Sequence, residues 1–574
     1  MKYLVSYFKK YRLESIIAPL FKMLEATFDL IVPLIVADII NVGITSGDKA
    51  YILVRFGLLI LMALLGISCS FVAQYFAARA AIGTSTGLRH QVLKHIQGLS
   101  FTELDKVGIS TLITRMTNDI NQVQNGVNMF LRLFLRSPFI VFGAMIMAFT
   151  IDAKIAMIFA LAIPVLFVIV FGVMRITKPM YKKVQQRVDG VTGSVRENLS
   201  GVRVIRAFGR EETEIEGFEK SNDELVQAQL KVGNMAALMN PMTYVVINIG
   251  MIAILWIGAE KVNTGILISG NIIALINYMS QILVELVKLA NLVTLIGKAI
   301  ASMGRVGQIL DMKPGMAFGK ETTPASTEEA VRFEQVSLKY AGAGAESLSE
   351  ISFRIKSGET VGVIGGTGSG KTSLVHMIPR FYDATSGQVY LMGRPIGDWD
   401  KESLRQRVVV VMQKALLFKG TIRSNLLWGK KDAAEAEMWE ALERAQAAEF
   451  VRGKSKGLDE KVEQGGRNLS GGQKQRLTIA RALIAKPDIL ILDDSASALD
   501  YATDAALRKA LKELPAHMTV FIVSQRISSI QHADHILVLD DGHLVGQGRH
   551  EELLAQCEVY QEIYESQFRK EEQA

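Results

Sequence analysis

Six apolar stretches lie before about Ala301 of this 574-residue chain, each long enough to cross a hydrocarbon layer of about 30 Å. They run roughly Ile16–Ile44, Tyr51–Phe76, Met129–Thr150, Ile155–Met174, Pro241–Ile257 and Ile266–Leu286. Backbone enters lipid only with its hydrogen bonds closed internally, so these stretches predict membrane-spanning helices. The composition agrees. Hydrophobic residues make up 49% of the chain and the mean hydropathy is +0.24, which argues against an ordinary soluble protein.

The loops between the stretches alternate in length. Thr45–Ala50, Ile151–Lys154 and about Gly258–Gly265 are short, with one Lys each: Lys49, Lys154 and Lys261. About Ala77–Asn128 and Arg175–Asn240 are long, with five and eleven Lys or Arg. Lys2, Lys9, Lys10 and Arg12 precede the first stretch. Where the charges sit says more than the net value of +7. The bias toward basic residues on one side predicts a multi-pass protein with its N-terminus and both long loops in the cytoplasm. The first ten residues lack a small-residue cleavage site and read as the lip of the first domain, not a removable signal. Cys69 and Cys557 lie in different halves, which argues against a structural disulfide or a cysteine metal site.

In the second long loop, Val184, Val188, Val191, Val195, Leu199, Val202 and Ile205 recur at steps of three and four, the stripe of one helix face. The spacing predicts helices that continue the spans well beyond the membrane, although Gly190, Gly193 and Gly201 lower helix propensity there. Residues 1–308 thus read as an all-α six-span domain. A linker follows over 309–330, rich in Pro, Gly, Ser, Thr and Glu. Residues 331–574 alternate short β-rich runs with helical ones, an α/β domain. Candidate strands are Val331–Val336, Thr360–Ile364, Val408–Val411, Ile489–Leu492, Val520–Val523 and Ile536–Leu539.

The strand Thr360–Ile364 runs into Gly365-Gly366-Thr367-Gly368-Ser369-Gly370-Lys371-Thr372, the phosphate-loop pattern. Glycines let successive backbone N–H groups converge on phosphate oxygens, and the helix after them aims its positive end at the same anion. Lys371 is placed to reach the β- and γ-phosphates, and the Thr372 hydroxyl to ligate Mg²⁺. A ligand-free glycine turn is the bland alternative, disfavoured by a strand before and a helix after. Ile489-Leu490-Ile491-Leu492-Asp493 is an unbroken apolar run ending in a carboxylate. Many core strands end in Asp, but beside a phosphate loop Asp493 reads as the Mg²⁺ aspartate. Between the two motifs lies Leu469-Ser470-Gly471-Gly472-Gln473, ahead of the helical Lys474–Ile484.

That order of motifs resembles the ABC transporter family, and its signature sequence makes the resemblance specific. In the family, two ATPase domains sandwich two ATPs, and the signature of one caps the ATP on the phosphate loop of the other. A Ser hydroxyl, two glycines and a helix N-terminus suit a γ-phosphate. By the same resemblance Tyr340 stacks on adenine, Ser373 joins the ATP-binding set, and Gln413 contacts Mg²⁺ and senses the membrane domain. Ser497-Ala498-Leu499-Asp500 matches the loop linking the two ATP sites. Tyr340 read as a plain core tyrosine is the alternative. The implied fold is a six-helix transmembrane domain joined to a P-loop ABC-type nucleotide-binding domain. The implied activity is ATP-hydrolysing transport, with ATP and Mg²⁺ as cofactors.

Two positions depart from the family. Active members carry Glu directly after the Mg²⁺ aspartate, where it polarises the attacking water; here that residue is Asp494, one methylene shorter. The family's Ala-His-Arg segment is here Ser524-Gln525-Arg526, and glutamine can donate to phosphate but carries no charge. Both changes should slow hydrolysis at this chain's own site. Harmless drift in an active homodimer is the alternative. The pair, together with the closing segment Glu562–Phe568, resembles the degenerate-site subunit of heterodimeric bacterial multidrug exporters. That resemblance implies a different half-transporter as partner, amphipathic small molecules as cargo, a bacterial cytoplasmic membrane with the ATPase domain and both termini inside, and no nucleic acid. Other readings are export of a lipid, peptide or thiol, or a nucleotide-gated channel or regulator. The lack of a peptidase domain before the first span weakens the peptide reading, and the lack of a regulatory insertion weakens the channel.

Glu25, Asp29, Asp38, Arg132, Arg136 and Glu285 fall in or at the edges of spans, where ionisable groups are expensive and face a cavity or a partner. Inter-helix pairing is the leading expectation, with a substrate or proton role behind it. Met145, Met147, Met242, Met251 and Met279 read as packing, with an adaptable cavity lining as the alternative. The loop tips near Phe101–Lys106 and Ile205–Glu212 should dock on ATPase domains, with Phe208 the aromatic anchor of the second.

Overall fold

The computed structural model describes residues 2–326, 328–495 and 499–568. The chain divides into two compact units. One holds the residues up to Gln97 and Ser110–Met312; the other holds Gly98–Ile109 and the residues from Lys313 onward.

Among the described residues six helical segments are long and apolar enough to cross a membrane: Arg12–Ile44, Lys49–Ile96, Ile109–Ile151, Ala153–Ala207, Glu211–Asn263 and Ser269–Asp311. The first five contain the predicted apolar stretches whole, and the sixth begins at Ser269, three residues after the start of the predicted Ile266–Leu286. The helix Ala153–Ala207 runs 55 residues without a break, through Pro164, Pro179 and the three glycines that weaken its propensity. Its valine stripe is only partly covered within the chain: Val184, Val188, Val191 and Ile205 are half-buried, whereas Val195, Leu199 and Val202 are exposed. Phe208, at the turn into the next helix, is 76% exposed.

The helices close on an apolar core that includes Leu30, Phe159, Ile254, Tyr278, Met279 and Ile282. Met145, Met147 and Met251 pack against this core, while Met242 is exposed. Tyr278 is fully buried and donates its hydroxyl proton to the Leu30 carbonyl at 2.6 Å. At Gly270 the last span meets the first so closely that a Cβ would overlap the Ala37 carbonyl, and the Gly270 N–H donates to Asn41 Oδ1 at 2.7 Å.

Glu25, Asp29, Arg136 and Glu285 form one network. Arg136 lies between three carboxylates: Glu285 at 2.5 Å, Asp29 at 2.9 Å and Glu25 at 3.9 Å. Lys22 pairs with Glu25 at 2.5 Å, Lys288 pairs with Glu285 at 2.8 Å, and the Ser137 hydroxyl donates to Glu285 at 2.7 Å. Asp38 pairs with Arg55. Pairing across helices is therefore what Glu25, Asp29, Asp38, Arg136 and Glu285 do, whereas Arg132 enters no ion pair among the described residues and its Nε is buried without a hydrogen bond. One guanidinium ties the first, third and sixth spans.

Among the described residues the second unit holds two main sheets and a two-stranded pair, Gly420–Thr421 with Lys461–Val462. The larger is six-stranded, in the order His543–Gly548, His535–Asp540, Thr360–Gly365, Thr519–Val523, Ile489–Asp493 and Val408–Val411. All neighbours are parallel except the edge pair His535–Asp540 and His543–Gly548. Ile489–Asp493 is buried throughout, as an unbroken apolar run in a central parallel strand must be. The smaller sheet is antiparallel and adds Leu348–Lys356 and Ser386–Leu391 to Glu329–Leu338. On the segment Gly98–Ile109 the Phe101 ring packs on Phe381 at 4.6 Å between centroids, and Asp105 accepts from the Tyr382 hydroxyl at 2.6 Å. Glu103 completes a capping box with Ser100 at the start of the helix Phe101–Val107.

Arg136→Ala leaves Glu285, with only 4% of its side chain exposed, short of its main partner. Such a loss costs about 3–5 kcal/mol. Thermal unfolding of the purified protein should shift down, and Arg136→Met combined with Glu285→Gln should recover most of the loss. An unchanged midpoint in Arg136→Ala would contradict a structural network.

Candidate active site

Strand register brings the motifs together. Val363 pairs with Val523, Val523 with Asp493, and Val411 with Leu492. The carboxyl ends of these strands therefore lie side by side, the edge where open α/β sheets bind ligands. The phosphate loop leaves one strand at Gly365, Asp493 and Asp494 end the second, and Gln413 follows the third.

The loop Gly365–Gly370 is shaped by its glycines. Gly370 has φ +94°, and a Cβ there would come 2.7 Å from the Ser347 carbonyl and 2.8 Å from Leu348 Cδ2. Lys371 is folded into the loop's own concavity. Its Nζ donates to the Gly365 carbonyl at 3.0 Å and the Gly366 carbonyl at 2.5 Å, with Ser369 Oγ at 3.4 Å. Burial pushes this ammonium below its ordinary pKa against the pull of Asp494 and Asp493. Burial also raises the Asp493 carboxyl, although Thr372 donates to it at 3.1 Å. The site thus keeps a cation and an anion poorly hydrated together, and each gains from an opposite charge delivered by a ligand.

Asp494 has φ +45°, and its N–H donates to the Val523 carbonyl at 3.1 Å. Its Oδ2 accepts from Gln413 Nε2 at 3.0 Å. The Gln525 side chain is exposed, while its carbonyl accepts from Gln567 Nε2 at 2.7 Å. Gln567 Oε1 accepts in turn from the Ile527 N–H at 2.9 Å. A glutamine of the C-terminal helix Glu558–Phe568 so holds the backbone around Gln525 from both sides.

Tyr340 donates to Ser373 Oγ at 2.9 Å, and its ring meets Tyr382 edge-on at 4.9 Å. Thr367 and Gly368 form the outer part of the loop. Ser470 caps the 14-residue helix Gly471–Ile484. It accepts from the Gln473 N–H at 3.3 Å, and its own N–H donates to Gln473 Oε1 at 3.1 Å. Leu469 is buried beneath this turn, Ser470 is exposed, and nothing lies within 4 Å of where a Gly471 Cβ would sit. Ser470, Gly471 and Gly472 are therefore presented on the surface of this chain. Ser497 and Ala498 lie outside the described residues. Asp500 caps the helix Tyr501–Lys512 by accepting from the Thr503 N–H at 2.9 Å.

The donor set Thr372, Asp493 and Gln413 is all oxygen, which suits Mg²⁺. The contact between the Thr372 hydroxyl and Asp493 keeps two of these groups within reach of one ion. Residues that sequence reasoning missed surround the site. Tyr382 braces Tyr340 and is tied to Asp105; its signal was the aromatic pair Phe381-Tyr382 just after the phosphate-loop helix. His376 Nε2 lies 3.6 Å from Asp493 Oδ2 without a hydrogen bond. Burial lowers the His376 pKa, so this is a contact of a neutral ring and not an ion pair. Its position four residues after Thr372, on the same helix face, was the available signal.

Comparison with known proteins agrees with this architecture. The ABC transporter transmembrane region family matches residues 15–286 and the ABC transporter family matches residues 348–497. The chain is 35% identical over 571 residues to the uncharacterized ABC transporter ATP-binding protein YfiB of Bacillus subtilis, covering 100% of this chain and 99% of that one. It is 33% identical over 481 residues to the ATP-dependent lipid A-core flippase of Desulfotalea psychrophila, covering 83% of this chain and 84% of the other. It is 32% identical over 480 residues to a fatty acid ABC transporter ATP-binding/permease protein of Mycobacterium bovis, covering 84% and 76%. A solved bacterial Atm1-family ABC exporter with ATP bound superposes with a TM-score of 0.80 at 22% identity, covering 98% of each chain, which shows a shared fold. The protein belongs to the ABC transporter family. It is a half-transporter of the exporter type, a multi-pass membrane domain fused to an ATP-binding domain, and hence an ATP-hydrolysing transporter.

Gly370→Ala should cost at least about 1–2 kcal/mol from its left-handed backbone alone. It should also reduce ATP affinity tenfold or more, read by a fluorescent ATP analogue. Unchanged affinity would mean that the loop does not need this shape to bind.

Proposed function

We propose that this chain is the nucleotide-holding subunit of a heterodimeric exporter in the cytoplasmic membrane of a bacterium, moving amphipathic small molecules outward. The observation that carries this reading is the pair Asp494 and Gln525 at the two positions where active members hold Glu and His. Asp494 is engaged by Gln413, and Gln525 presents an uncharged side chain. A slow site of its own leaves the chain dependent on a competent one elsewhere.

In this reading Gly365–Gly370 and Lys371 hold the phosphates and Tyr340 stacks on adenine, steadied by Ser373. Thr372, Asp493 and Gln413 hold Mg²⁺, which supplies charge neutralisation between the β- and γ-phosphates when bound. Leu469, Ser470, Gly471, Gly472 and Gln473 cap the ATP on the partner's phosphate loop. The surface placement of Ser470 and the partly uncovered valine stripe support a second subunit. Phe208, exposed at its turn, supplies an anchor for the partner's ATPase domain. A lipid-like cargo is the second reading, favoured by relatives described as a lipid A-core flippase and a fatty acid transporter.

The two sites respond oppositely to mutation. Ser470→Arg should cut steady-state turnover of the assembled transporter by about 10²–10⁴-fold, the usual cost of losing a working catalytic group. Asp494→Asn should keep turnover within about threefold, because the main base lies in the other site. Turnover lost in Asp494→Asn and kept in Ser470→Arg would reverse the assignment. Phe208→Ala should lower substrate-stimulated hydrolysis with ATP binding intact, and unchanged stimulation would remove its coupling role.

A further inference from the structure

We infer that Asp494 acts as a positioning residue for Gln413: it fixes which end of the glutamine amide faces the metal site, in place of polarising water. The inference rests on the assignment of Gln413 to Mg²⁺ made above.

The juxtaposition comes from the sheet. The strands Val408–Val411 and Ile489–Asp493 are parallel neighbours, with Val408 opposite Ile489 and Val411 opposite Leu492. Continued two residues past the last pair, the same register sets Gln413 level with Asp494. The left-handed backbone at Asp494, φ +45°, and its N–H bond to the Val523 carbonyl hold the residue there. Asp tolerates this conformation better than most residues. The side chains then meet, Gln413 Nε2 donating to Asp494 Oδ2 at 3.0 Å.

The chemistry of the pair is directional. An ionised carboxylate only accepts, whereas a glutamine amide has a donor end and an acceptor end. Asp494 therefore draws Nε2 to itself and turns Oε1 away, and Oε1 is the atom able to ligate a hard cation. Thr372 and Asp493, the remaining oxygen donors, adjoin this pair, and the Asp493 carboxylate immediately precedes Asp494 in sequence. A Glu at position 494 would carry its carboxylate about 1.5 Å farther along the side chain. In Asp the group stays close to Gln413. The shortened residue thus exchanges reach toward water for a grip on the glutamine.

The test is Mn²⁺ binding, read by electron paramagnetic resonance on the full-length protein in lipid nanodiscs with saturating ATP. Binding of a fluorescent ATP analogue in EDTA serves as the check that each variant is folded. Asp494→Asn offers a group that can donate as readily as accept, so Gln413 loses its fixed orientation. Its Mn²⁺ Kd should rise about tenfold, the scale of one hydrogen bond to a charged group. Loss of negative charge alone would also weaken the metal, so the deciding measurement is a double-mutant cycle. In a Gln413→Ala background, adding Asp494→Asn should change Mn²⁺ affinity by less than about twofold if Asp494 acts through Gln413. A tenfold effect persisting in that background overturns the inference and leaves Gln413 as a metal ligand. Unchanged Mn²⁺ affinity in Gln413→Ala alone overturns the metal assignment of Gln413, and the inference with it. Unchanged affinity in Asp494→Asn alone overturns the inference.

Discussion

The parallel register of four strands is the constraint on which the nucleotide chemistry depends. Thr360–Gly365 lies beside Thr519–Val523, which lies beside Ile489–Asp493 and, beyond it, Val408–Val411. Each strand delivers its chemical group just past its carboxyl end. A slip of one residue in any pair would turn alternate side chains to the opposite face and scatter the site. The apolar runs that bury these strands on both faces hold that register in place. Packing and chemistry are thus one problem in this unit.

The membrane unit solves a different problem, holding helices together where lipid offers little hydrophobic drive. Close approach at Gly270 and the buried hydroxyl of Tyr278 each tie the last span to the first. Arg136 adds a polar fastening that reaches three helices at once. Glu285 is held by Arg136, Lys288 and the Ser137 hydroxyl and is deeply buried, whereas Asp29 shares the Arg136 guanidinium and stays half-exposed. The same network is therefore tight on one side and open on the other.

Much of this was legible in the sequence because it depends on local order. The phosphate loop, the strand ending at Asp493 and the signature helix are contiguous segments whose spacing carries their meaning. The spans were legible from apolar length alone. The antiparallel strands Leu348–Lys356 and Ser386–Leu391 were not anticipated, because polar residues interrupt their apolar positions. The bracing of Tyr340 by Tyr382 and Asp105, and the grip of Gln567 on the Gln525 segment, join residues far apart in the chain. No periodicity announces such pairs. Pairing of the intramembrane charges was anticipated in kind, but the central role of Arg136 emerged only from geometry.

The uninterrupted helix Ala153–Ala207 is also a lever. Its 55 residues rise roughly 80 Å, of which a bilayer takes up only about 30 Å. About 50 Å of rod therefore projects past the lipid, and with its fulcrum at the membrane face a tilt of about 5° sweeps the free end through about 4 Å. That stroke is comparable to the reach of a hydrogen bond being made or broken. The exposed Phe208 sits at the tip, where the stroke is largest. A small rotation among packed spans is thereby geared up into a displacement of atomic consequence without any part of the helix having to unwind.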